Sequence, residues 1–130
     1  MEMEVYFPGG WRVYADCDGH TIHTDHPVDE EGEDSALSPV GLFVGAIATC
    51  AGMCALGFMR QRGIDAGAAR LRVHTDLDPV TELISTVDLE LALPPDFPEK
   101  YRGAVVNAMK LCAVKQHLSH PPAVEIRVAP

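Results

Sequence analysis

Between Ser38 and Met59 the chain carries no charged residue, and any fold must first dispose of that segment. It is long enough to cross a bilayer as a helix. However, Gly41, Gly45, Gly52, Gly57 and the alanines between them dilute its hydrophobicity. Amphipathic strand patterns also flank it, as they would flank the central helix of a soluble domain. The Gly41/Gly45 spacing permits a close helix neighbour in water as well as in lipid. The segment therefore reads as a buried helix rather than a membrane span. Ser38 is a good N-cap and Pro39 suits the first helical position, where no N–H is needed. Gly63 is the stop, so the helix should run to about Arg62. Apolar on almost every face, it must be enclosed on almost every side. A chain of 130 residues can hardly do that alone, and a second subunit is the natural cover.

The strands on either side follow from period-2 patterning. Residues 2–7, 10–16 and 20–24 read as a meander, with Trp11, Val13 and Ala15 alternating with Arg12, Tyr14 and Asp16. Pro8-Gly9-Gly10 and Asp18-Gly19 supply its turns. Residues 68–76 and 82–93 read as two longer strands joined through Asp78-Pro79, and Pro94-Pro95 ends the second. Asp96-Phe97-Pro98-Glu99 has the form of a capping box opening a second helix. That helix should carry Tyr101, Val105, Ala108, Cys112 and Lys115 on one stripe until Pro121-Pro122. Residues 123–128 complete the order as a last strand. The expectation is one α+β domain over 1–130, in the order βββ-α-ββ-α-β.

Charge excludes one class of partner. The formal net charge of -9 argues against nucleic acid, because phosphate binding needs clustered Lys and Arg. The acidic run Asp29-Glu30-Glu31-Gly32-Glu33-Asp34 reads as a solvated loop, and its spacing does not match a calcium-binding EF-hand loop. The N-terminus, Met1-Glu2-Met3-Glu4, is acidic rather than the basic start of a signal peptide. A cytoplasmic, reducing location is therefore expected. There, cysteines are buried, metal-bound or redox-active more often than disulfide-linked.

Cys17, His20, His23 and His26 fall at steps of three and superficially resemble a metal cluster. Steps of three alternate faces on a strand, and no CxxC or HExxH motif supports zinc, so no metal is expected. Cys50 lies in the middle of the long helix, where the helix dipole gives it little help. Unaided, its pKa would be about 8.5 or higher, and it would be inert. A reactive Cys50 therefore needs a cation or hydrogen-bond donors brought from elsewhere. On composition alone, buried packing is the commoner role of a cysteine.

Ser38-Pro39-x-x-Leu42, the Ala/Gly-rich helix and Ala48-Thr49-Cys50 resemble the first-cysteine helix of OsmC/Ohr proteins. Lys110-Leu111-Cys112-Ala113-Val114, before a last strand, resembles their second-cysteine segment. Spacing and element order agree over roughly residues 4–128. The resemblance implies an intertwined homodimer with two sites at the subunit interface and two long helices packed centrally against antiparallel sheets. It implies Cys50 as a peroxidatic nucleophile, Cys112 as its resolving thiol and Arg12 as a thiolate stabiliser. The substrate would be a small organic hydroperoxide and the reductant a dithiol, with no cofactor. Two positions depart from the peroxide-reducing members. Val40 stands where they carry a Glu that pairs with the arginine. Gly19-His20-x-Ile22 with Asp25 resembles instead a sub-branch of OsmC-like proteins of poorly defined function. A second reading is a non-catalytic dimer that binds a small apolar or thiol-reactive ligand.

Overall fold

The computed structural model describes all residues, 1–130, as two compact units, Met1–Gly45 and Ala46–Pro130. The first is an antiparallel meander of β1 (Glu4–Gly9), β2 (Arg12–Cys17) and β3 (His20–Thr24), in the order β1-β2-β3. Asp18 and Gly19 both take positive φ, +49° and +79°, the type I′ geometry that matches strand twist in a two-residue hairpin. Tyr6, Tyr14 and His23 lie opposite one another across the strands. Their rings meet edge to face, with centroids 5.9 Å and 4.4 Å apart.

The acidic run is more ordered than a plain solvated loop. Asp25, 1% exposed, accepts hydrogen bonds from the Ser35 hydroxyl (2.6 Å), the Ser35 N–H (3.1 Å) and the His26 N–H (2.8 Å). The Ser35 hydroxyl bond is the main reason its carboxyl is held below the usual range. A lowered carboxyl contributes stability that is full above about pH 4 and fades as pH falls through the lowered value. The chain turns back through a 3₁₀ turn at Val28–Glu30, and Asp34 N–H reaches His26 C=O at 3.0 Å. The fold of this loop sets Glu33 3.7 Å from Arg12. Gly32 lies so close to the His26 carbonyl that a Cβ there would overlap it. Gly32→Ala is therefore expected to cost about 1–3 kcal/mol, read as a lower urea midpoint with an unchanged m-value.

Helix α1 spans Pro39–Gln61. Ser38 Oγ accepts the Gly41 N–H at 3.1 Å, the expected N-cap bond. At the other end Gly63 takes φ +65° and donates to Arg60 C=O (3.2 Å), while Ile64 donates to Met59 C=O (2.9 Å). That pair of bonds is a Schellman stop.

The second unit contains the hydrophobic core. Strands β4 (Arg70–Leu77) and β5 (Ile84–Ala92) pair antiparallel, and Asp78 organises their turn by accepting the Val80 and Thr81 N–H groups at 2.8 and 2.9 Å. Ala51, Ala55, Phe58 and Met59 of α1 pack with Phe97, Val105 and Met109. Leu71, Leu89 and Leu91 close over them from the sheet. Phe58 meets Phe97 at 6.5 Å and Tyr101 at 5.8 Å, and the Arg62 guanidinium covers the Phe58 ring at 3.6 Å.

Three expectations need correction. The second helix is not continuous. After a 3₁₀ turn at Glu99–Tyr101, α2 covers Arg102–Lys110 and a separate α3 covers Ala113–Ser119. Asp96 makes no capping box, because the first turn opens at Pro98 with no side-chain cap. Instead the Phe97 N–H is used by Pro94 C=O (3.0 Å), and its ring goes to the core. Finally, residues 121–130 form no strand. Val124, Ile126 and Val128 alternate as a strand should, yet they are 80%, 93% and 94% exposed. A strand exists only when its N–H and C=O groups pair, and no strand of this chain pairs with them.

Candidate functional site

The break between α2 and α3 creates the site. Leu111 and Cys112 end α2 with short-range bonds to Ala108 and Met109 carbonyls (3.2 and 3.3 Å). Cys112 then takes extended dihedrals, φ −60° and ψ 140°, and becomes the N-cap of α3. Its sulfur accepts the Lys115 N–H at 3.3 Å. The first N–H groups of α3 have no intrahelical acceptor, and they turn to Cys50 in the middle of α1.

Cys50, half-buried, is influenced by the Val114 N–H, the Cys112 side chain and the Ala113 N–H. The Val114 N–H is the strongest influence, and together these donors lower the Cys50 pKa despite partial desolvation. Donors aimed at the charged form are one of the few ways a mid-helix thiol becomes a thiolate. Cys112 is shifted oppositely. It is 1% exposed, and burial pushes its thiol up, helped by the adjacent sulfurs of Cys50 and Cys54. The two sulfurs thus form a pair with divided roles, one favouring the anion and the other the thiol. All four cysteines are free thiols.

Cys50 and Cys112, both singled out from sequence, are brought together in the second unit. Arg12 belongs to the first unit, where its Nε donates to Gly9 C=O at 3.2 Å. It does not lack a carboxylate partner, since Glu33 of the acidic loop stands at 3.7 Å. Val40, at the start of α1, is exposed. Cys17 closes β2 beside Asp18, and His26 stacks on Trp11 at 4.8 Å. Sequence reasoning missed the backbone donors of Ala113 and Val114. Neither Gly nor Pro marks the break, and a cysteine is an unusual N-cap, so the sequence carries almost no signal for them.

A thiol pair made by a mid-helix cysteine and a helix N-cap cysteine in an α+β domain is the class of protein that fold and site define. The chain belongs to the OsmC-like protein family, whose profile matches residues 32–127. Solved structures share the fold. A candidate osmotic stress induced and detoxification response protein from Psychrobacter arcticus superposes with TM-score 0.77 at 23% identity, covering 88% of this chain and 85% of the other. An OsmC-like protein from Mycoplasma pneumoniae gives 0.73 at 13% identity, over 92% and 87%. An organic hydroperoxide resistance protein OsmC from Legionella pneumophila, described also as a predicted redox protein and regulator of sulfide bond formation, gives 0.57 at 17%, over 90% and 87%. At these identities the likeness is one of fold. No curated protein matches the chain in sequence.

Proposed function

We propose that the protein has a thiol-based redox role in stress defence, and that its reaction is the reduction of organic hydroperoxides in the cytoplasm. The observation that carries this reading is the divided thiol pair, in which the N–H groups of Val114 and Ala113 draw the Cys50 pKa down while burial pushes that of Cys112, beside it, up. Family membership and the redox description of the Legionella relative point the same way.

In the proposed reaction the Cys50 thiolate attacks the terminal oxygen of the hydroperoxide. The O–O bond breaks, the alkoxide leaves and takes a proton to become an alcohol, and Cys50 becomes a sulfenic acid. Burial still holds the Cys112 pKa up, but the Cys50 charge that added to it is then gone, so Cys112 ionises more readily. Its sulfur attacks the Cys50 sulfur and displaces hydroxide, which leaves as water, and a disulfide forms. An external dithiol restores both thiols.

The site is proposed to work within a homodimer. Apolar side chains of α1, Val40, Phe43, Met53 and Leu56, are exposed on the single chain, as are Val124, Ile126 and Val128. Soluble monomers rarely expose contiguous apolar patches beyond several hundred Å², and a second copy would cover the helix and offer a strand edge to 123–128.

The test of the reaction is peptide mapping. Treat the reduced protein with a small excess of an organic hydroperoxide, digest it without reductant, and identify linked peptides. A Cys50–Cys112 pair, absent in Cys50→Ser, is the expected result. Four free thiols, at peroxide levels that oxidise ordinary exposed cysteine, would leave the non-catalytic binding reading in front.

A further inference from the structure

Beside the thiol pair, a cavity of about 230 Å³ opens between β5 and the two short helices. It is lined by Leu89 and Leu91 of β5, by Val106, Met109 and Lys110 of α2, and by Lys115 of α3. Two of these residues are bonded to Cys112: Met109 C=O accepts its N–H, and the Lys115 N–H donates to its sulfur. The cavity therefore shares a wall with the thiol pair.

The charges are as informative as the apolar walls. The chain has 10 Lys and Arg against 19 Asp and Glu, yet two lysines converge here. Like most cations of the chain, neither makes an ion pair with a carboxylate. The nearest acidic residues along the lining strand, Asp88 and Glu90, alternate with Leu89 and Leu91 and so point to the opposite face of the sheet. An uncharged ligand would need only the apolar walls. Two lysines without carboxylate partners in the lining of an otherwise apolar slot complement an anion on an apolar chain. The volume is below the roughly 300–1,000 Å³ of pockets for drug-sized ligands, which favours a short chain.

We propose that this cavity binds a small amphipathic anion, a short apolar chain ending in a carboxylate or phosphate, with Lys110 and Lys115 selecting the charged head. Insofar as the ligand is also the substrate, the inference rests on the redox reading above, since its chain would then lie against the wall that holds Cys112. Binding itself does not depend on that reading.

The test uses the reduced full-length protein and three unreactive probes of equal chain length: octanoate, octyl phosphate and octanol, followed by calorimetric titration. At least one anion should bind about tenfold tighter than octanol, and the tighter of the two identifies the head group. Each lysine should account for about threefold, the scale of an exposed ion pair. Lys110→Gln with Lys115→Gln should bring the anion down to the octanol level, while the Lys→Arg pair retains the preference. Salt should weaken the anion and not the alcohol, a readout available on the unaltered protein if the glutamine variant does not fold. Equal binding of octanol, an anion preference that survives both glutamines or ignores salt, or no saturable binding of any probe would overturn the proposal. The same titration, run beside the peptide mapping above on the reduced protein, separates the two claims. Lysine-dependent binding with an unreactive Cys50 would leave this site standing and the peroxidase reading fallen, and the reverse result would do the opposite.

Discussion

Cys50→Ser is expected to reduce organic hydroperoxide turnover by about a thousandfold or more, the scale seen when a covalent nucleophile is removed. A serine hydroxyl in the same place could accept the Val114 and Ala113 N–H groups, but it would stay protonated at neutral pH and could not attack a peroxide. Cys112→Ser should behave differently. The first equivalent of peroxide would still be consumed, because Cys50 keeps both backbone donors, and the sulfenic acid would then persist. Cys54→Ser should leave turnover within a fewfold of the starting protein. Cys54 lies about 6 Å from Cys50 along one straight helix, so both side chains project the same way and are poorly directed for bridging. Stopped-flow consumption of cumene hydroperoxide, with a sulfenic-acid trap, checks all three variants.

The second large effect concerns the surface of α1. Met53 is 73% exposed on the single chain, so a monomeric protein should tolerate Met53→Glu within about 0.5 kcal/mol. In the proposed dimer that face is closed, and the glutamate would be an unpaired buried charge costing several kcal/mol. A two-fold interface presents the substitution twice. The expected result is loss of the dimer, with unfolding or a weakly stable monomer at micromolar concentration in sedimentation. An unchanged, folded species of monomer mass before and after the substitution would remove the dimer from the account.

The parts of the fold that sequence revealed are those whose causes are local. Strand β3 lies at 20–24 as patterning expects, and Asp18-Gly19 makes the hairpin that its residue types favour. Ser38 and Gly63 bound α1 by hydrogen bonds that can be read from a few neighbouring positions. The parts that were hidden depend on residues distant in sequence. Asp25 looks like one more acidic residue until Ser35, ten positions on, folds back to bond it. The alternation at 123–128 reads as a strand, but alternation cannot supply a pairing edge. The break at Leu111-Cys112 lacks the usual punctuation, and its consequence is visible only with α1 alongside. Of the candidate site, the two cysteines were legible in sequence. The source of the Cys50 activation was not, because backbone N–H groups have no residue type to betray them.

That activation is the central claim, and a thiolate titration tests it directly. Thiolate absorbance near 240 nm, followed against pH for the reduced protein and corrected with Cys50→Ser, isolates the Cys50 ionisation. A group held down by donors to its anion should titrate below the ordinary value of about 8.5, with Cys112 ionising only above it. Ala113→Pro provides an internal control, since the φ −60°, ψ 140° of Cys112 is the conformation that a following proline favours. Proline is also accepted at the first position of a helix, so the change removes one donor to Cys50 with little cost to the backbone. The account predicts a Cys50 midpoint below 8.5 that moves upward in Ala113→Pro. A midpoint at or above 8.5, unmoved by the proline, would contradict it.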